Sequence, residues 1–224
     1  MFKYPILITN FKNYSNGIGK KAVDLALCHE KLSHEYGVSV AVVVNPFDVY
    51  RVSQAVRIPV LTAHLDPVDF GPYTGALLPQ AAKAAGACGT VLNHAEKPLE
   101  NEVLEQAICL VQKSNLLRLV CADSVEQIEE IFSFDISLIA FEPPELIGSS
   151  EKSVSNTMPE SITKCVQVAQ KIPLLVGAGV RSADDVSVAL DLGAEGVFVS
   201  SAIVKSDNPE KKIREFLEVM QTKK

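Results

Sequence analysis

Hydrophobic positions along the chain fall into two alternating patterns. Short runs such as Val40-Ala41-Val42-Val43-Val44 are apolar at every position, whereas longer stretches between them repeat apolar residues every three or four positions. The runs predict strands over residues 6–10, 38–44, 60–63, 90–93, 118–122, 136–142, 174–177 and 196–200. The stretches predict helices over 20–36, 47–55, 79–85, 100–113, 125–131, 160–170, 183–192 and 209–220. A strand apolar on both faces is what a parallel sheet covered by helices requires. About eight β-then-α units follow one another with no linker and no change of composition. That predicts an α/β fold, a closed (β/α)8 TIM barrel forming one domain over residues 1–224. On periodicity alone an open doubly wound sheet stays possible. The longest stretch without clear periodicity, residues 143–158, is rich in Ser, Gly and Pro, and a loop that long in a compact domain is usually functional.

Composition narrows the partners. The chain has 224 residues, 47% of them hydrophobic, and a net charge of −6, so a sizeable single core is expected and the global field repels anions. Lys and Arg are scattered, Trp is absent and aromatics are 6%, which argues against nucleic acid. No apolar run approaches the roughly 20 residues of a membrane span, and Met1-Phe2-Lys3-Tyr4-Pro5 does not resemble a signal peptide. The expectation is a soluble, cytoplasmic protein. Cys28, Cys88, Cys109, Cys121 and Cys165 form no CxxC pair and read as reduced, partly buried thiols, and no His–Cys spacing fits a zinc site.

In such a barrel the chemistry sits where the strands end. Those ends carry Asn10 and Lys12, His94 and Glu96, Glu142, Gly177 and Gly179, and Ser200 and Ser201. Lys12 is either a rim ammonium or a surface lysine. His94 at a strand end suits an acid, a base, a ligand or a structural group. Glu142 follows the apolar run Ile139-Ala140-Phe141, where burial would raise its pKa toward that of a general base; otherwise it is an ordinary strand-end charge. His64, and His29 and His34 on a helix, read as solvated or structural. Gly177-Ala178-Gly179 ahead of Ser182-Ala183-Asp184-Asp185 looks like a turn into a capped helix. With the Ser200-Ser201 turn one unit later, it forms a backbone-rich place for a phosphate.

Taken in order, Asn10-Phe11-Lys12, Thr74-Gly75, Asn93-His94-Ala95-Glu96, Glu142-Pro143-Pro144-Glu145-Leu146-Ile147-Gly148 and Gly177-Ala178-Gly179-Val180 resemble the triosephosphate isomerase family, especially its short archaeal branch. The likeness spans nearly the whole chain. It implies an isomerase interconverting glycerone phosphate and glyceraldehyde 3-phosphate, with Glu142 as base, His94 as electrophile and Lys12 as cation. Asn10 would help position Lys12 and the substrate, and Ile147, Gly179, Ser200 and Ser201 would hold the phosphate. A neutral histidine and a closing loop are features for which this family is itself the general worked case. The resemblance implies no metal or organic cofactor, a small phosphorylated triose as partner, and a homodimer or homotetramer in which Thr74 lies on the loop inserted beside the neighbour's site.

Three positions depart from the family pattern. Ala95 stands where Ser is usual, Ser149-Ser150 replaces a second lid glycine, and Ala202 stands where Gly is usual and is expected to crowd the phosphate cradle. Two other readings follow from the same residues: a different phosphate-sugar barrel enzyme, isomerase or aldolase, and a catalytically weak binder of phosphometabolites.

Overall fold

A computed structural model describes residues 2–147 and 153–223. Eight parallel strands close on themselves in the order of the chain, which settles the barrel over the open sheet. They are β1 (Ile6–Asn10), β2 (Ser39–Val44), β3 (Val60–Thr62), β4 (Gly89–Leu92), β5 (Leu117–Ala122), β6 (Leu138–Phe141), β7 (Leu174–Val176) and β8 (Gly196–Val199). The helices are α1 (Lys20–Tyr36), α2 (Val49–Ala55), α3 (Pro79–Ala84), α4 (Asn101–Lys113), α5 (Val125–Ile131), α6 (Val154–Thr157), α7 (Pro159–Ala169), α8 (Ala183–Asp191), α9 (Ser201–Val204) and α10 (Pro209–Thr222).

The full hydrophobicity of the strands is explained by two separate apolar layers. Alternate strand residues, among them Ile6, Ile8, Val43, Leu119, Leu138 and Phe198, fill the barrel interior. Their neighbours in sequence, such as Leu7, Val42 and Val120, pack outward against the helices. The helices start and stop where local chemistry dictates. Ser124 and Asn208 each accept a backbone N–H as N-caps of α5 and α10, and Gly37 ends α1 at φ 64°. His29 is structural, as expected. Buried on α1, it donates from Nδ1 to the Leu25 carbonyl and receives the Thr9 hydroxyl at Nε2, tying helix to strand. Burial pushes its pKa down to about 4.

Several boundaries differ from the sequence expectation. The strand expected over 136–142 is only Leu138–Phe141. The helix expected from residue 47 begins at Val49, after a 3-10 turn at Pro46–Asp48. The stretch 143–158 is not wholly loop, for it contains a 3-10 turn, Pro144–Leu146, and the one-turn α6 capped by Ser153. Single turns are too short to show a period, so hydrophobic patterning missed them. Cys109 is exposed, not partly buried. Among the described residues no helix is long and apolar enough to cross a membrane.

Closure depends on Gly196, which opens β8 opposite Ile6 of β1. A Cβ there would lie 2.0 Å from the Ile6 carbonyl oxygen, a rigid backbone atom. Gly196→Ala should therefore cost roughly 3 kcal/mol or more, read as a drop in the denaturant midpoint. Stability equal to the parent would mean the seam tolerates a side chain.

Candidate active site

The C-terminal rim of the barrel gathers the strand-end residues singled out from the sequence. Asn10, buried at the end of β1, accepts the backbone N–H of Lys12 at 3.0 Å and so holds Lys12 in a left-handed conformation, φ 48°. The Lys12 ammonium reaches across the rim to Glu96 Oε1 at 2.8 Å. It is therefore a paired cation on the rim.

His94 follows β4 and is buried. Its neighbour Asn93, at φ 55°, donates to the Cys121 carbonyl and accepts from the Leu99 N–H, which fixes the turn. The Glu96 N–H donates to His94 Nδ1 at 3.0 Å, so in the neutral ring the proton belongs on Nε2. That Nε2 is buried, has no hydrogen-bond partner among the described residues, and lies 3.6 Å from Glu142 Oε2. Burial, then the Lys12 charge, pushes the imidazole pKa down to about 4, leaving it neutral near pH 7.

Glu142 follows β6 and is buried. Desolvation raises its pKa to about 7, opposed by the Lys12 charge and by hydrogen bonds from the Cys121 thiol and the Ala178 N–H. The thiol contacts Oε2 at 3.4 Å, and burial followed by the Glu142 charge keeps that thiol's own pKa well above its ordinary value. Gly177 makes room for the carboxylate, since a Cβ there would lie 2.5 Å from Glu142 Cγ.

Beside Glu142 lies a cavity of about 130 Å³ whose wall includes Ile147, Gly179, Ser200 and Ser201. The buried Ser200 hydroxyl has no hydrogen-bond partner among the described residues, and Ser201 opens α9, whose first N–H groups have no acceptor inside the helix. A larger cavity of about 450 Å³ adjoins it, lined in part by Asn10, His64 and His94, and Lys12, Tyr14 and Glu96 face both spaces. Every anticipated site residue thus sits on this rim. His64, paired with Asp66, lines the larger space and is structural. Ala202 is not on the wall of the smaller cavity and packs against the core. Gly148 and Ser149-Ser150 lie outside the described residues.

Sequence reasoning missed Cys121, Ala178 and the steric role of Gly177. Cys121 could have been found by parity, two residues after the inward-facing Leu119 on β5. No sequence signal marks the backbone N–H of Ala178.

The family model described as Triosephosphate isomerase matches residues 5–222. The triosephosphate isomerase of Saccharolobus solfataricus is 41% identical over 218 residues, 96% of each chain. That of Sulfurisphaera tokodaii is 39% identical over 96% of this chain and 95% of its own. The enzyme of the same name from Methanothermobacter thermautotrophicus is 40% identical over 92% of this chain and 91% of its own. In three dimensions the crystal structure of triosephosphate isomerase from Bartonella henselae superposes with a TM-score of 0.72, covering 97% of this chain and 98% of that one; at 18% identity it speaks for the fold alone. By its matched residues and its full-length relatives, this chain belongs to the triosephosphate isomerase family.

Proposed function

We propose that the barrel is one catalytic domain that interconverts glycerone phosphate and glyceraldehyde 3-phosphate, with Glu142 as base, His94 as electrophile and Lys12 as cation. The observation that carries this reading is the pair at the rim. A buried carboxylate poised near neutral pH lies 3.6 Å from the unpartnered Nε2 of a neutral histidine. Glu142 takes a proton from the carbon beside the carbonyl, the C–H electrons form the enediolate double bond, and the carbonyl oxygen gains the negative charge. The His94 Nε2–H donates to that oxygen and the Lys12 ammonium offsets its charge, in a site where low polarity strengthens both effects. His94 passes its Nε2 proton to that oxygen and takes up the hydroxyl proton of the neighbouring carbon, whose oxygen becomes the new carbonyl as Glu142 returns its proton to the former carbonyl carbon. The phosphate fits the smaller cavity, against Ile147, Gly179, Ser200 and Ser201, and Asn10 acts by holding Lys12. No step calls on a metal or an organic cofactor. An aldolase would need a Schiff-base lysine on an inner strand end, and Lys12 is committed to Glu96 instead.

The same proposal extends to assembly and compartment: a cytoplasmic homo-oligomer, dimer or tetramer. Exposed aromatics support self-association. Phe47 is 90% exposed after β2, and Phe70 and Tyr73 are exposed on the loop that carries Thr74. The five free cysteines suit a reducing compartment.

If Glu142 is the base, Glu142→Asp should lower turnover by about two to three orders of magnitude, because retracting the carboxylate by ~1 Å spoils its alignment. The base works only when ionised, so activity of the parent should fall as pH drops through about 7. Near-normal turnover in the Asp variant would sink the assignment.

Lys12 and His94 should fail differently. Lys12→Met removes charge felt by phosphate and enediolate alike, and should raise KM and lower kcat together. His94→Gln should lower kcat with little change in affinity for a substrate analogue, since its bond strengthens mainly in the transition state. Normal analogue binding by Lys12→Met, or intact turnover in His94→Gln, would contradict these roles.

Assembly is checked by sedimentation. The parent should run as a dimer or larger, and Phe47→Glu should shift it toward the monomer. A monomeric parent would refute the oligomer.

A further inference from the structure

Asp185 is a buried carboxylate, 3% exposed, that the chemistry above does not use. Its Oδ2 accepts the Arg181 N–H, the Ser182 N–H and the Ser182 hydroxyl, an N-terminal capping box for α8. A cap needs no more than that oxygen. Yet Oδ1 reaches another segment, where it accepts the Ser153 hydroxyl and the Asn156 side-chain N–H. Five neutral donors converge on one carboxylate. Burial raises its pKa, and the bonds from Ser153, Arg181 and Ser182 outweigh that, holding it below the ordinary carboxylate value.

Ser153 and Asn156 belong to the cap and body of α6, whose first residue is Val154. The Val154 N–H donates to the Ala178 carbonyl at 3.1 Å; the Ala178 N–H favours the ionised Glu142, and the preceding Gly177 packs against that carboxylate, where a Cβ would lie 2.7 Å from Oε1. Ala178 is a non-glycine residue at φ 60°. A left-handed alanine is strained and persists only where its surroundings hold it. Its carbonyl is held by α6, and α6 is tied to Asp185.

We propose that Asp185 is a positioning residue for the base: through Ser153, Asn156 and Val154 it holds the strained Ala178 peptide, and with it the backbone that packs against the Glu142 carboxylate. This rests on Glu142 being the base. The charged and titratable groups facing Glu142 are Lys12, Glu96, His94 and Cys121, and none of them contacts Asp185. A change at Asp185 therefore reaches Glu142 through the Gly177–Ala178 backbone packed against it, whose Ala178 N–H favours the ionised form.

Two variants test it. The double variant Ser153→Ala, Asn156→Ala keeps the Ser182–Asp185 cap and removes the link to α6, together with the Ser153 cap that starts α6. Asp185→Asn disturbs both, because an amide N–H faces donors. In each, kcat should fall about three- to tenfold while KM changes less than about twofold, and the acid limb of kcat/KM should move to higher pH as the carboxylate loses its Ala178 donor. A lower melting temperature with kcat and the acid limb unmoved would reduce Asp185 to a helix cap and overturn the proposal. If Asp185→Asn does not fold, the double variant decides alone. Glu142→Asp run alongside separates the two ideas. Full turnover there removes the base assignment, whereas lost turnover there with unchanged kinetics in the double variant removes only the positioning role.

Discussion

A carboxylate kept out of water at the end of β6 sets the terms for the rest of this rim. Left alone, a buried Glu142 would simply hold its proton, because no protein interior solvates a lone negative charge as water does. Its surroundings stop partway. The Cys121 thiol and the Ala178 N–H donate to it and Lys12 supplies a distant positive charge, so its pKa comes to rest at about 7. More donors would make it a weak base, and fewer would leave it protonated at the pH of the cell. Gly177 belongs to the same constraint, since the carboxylate occupies the space where a side chain would be.

The charges around it follow from that choice. His94 must be neutral to donate a hydrogen bond without surrendering a full proton, and its burial and the nearby Lys12 ensure this. The Glu96 N–H fixes which nitrogen carries the proton, so the tautomer is set by backbone geometry. The Glu96 side chain meanwhile holds the Lys12 ammonium over the site at 2.8 Å. One residue, more than half exposed at its side chain, thereby orders both Lys12 and His94 beside Glu142.

Strain is concentrated on the same edge. Lys12, Asn93 and Ala178 all have left-handed backbones, and each comes within two residues of a strand end. Such conformations allow the chain to turn sharply over the barrel mouth while still aiming a side chain or an N–H inward. Asn10, the Asn93 side chain and α6 are the local devices that hold them.

The alternation of all-apolar runs with amphipathic stretches determined a parallel sheet covered on both faces. Whether that sheet closes into a barrel or stays open was decided by the tertiary structure. Because strands end where the apolar run ends, the sequence also placed Lys12, His94, Glu142 and the two glycine and serine turns on one rim. The Asn-x-Lys, Asn-His-x-Glu and Glu-Pro-Pro-Glu-Leu-Ile-Gly elements, read in order, added the family. Short elements escaped, since α6 and α9 span four residues each and show no period. What only the tertiary structure decided were relations between distant segments: Lys12 with Glu96, Cys121 and Ala178 with Glu142, and Asp185 with Ser153. These relations join residues tens of positions apart, one of them through a backbone group that nearly every amino acid carries alike. Their formation depends on how closely neighbouring strands bring their ends together, and a one-dimensional pattern holds no record of that distance.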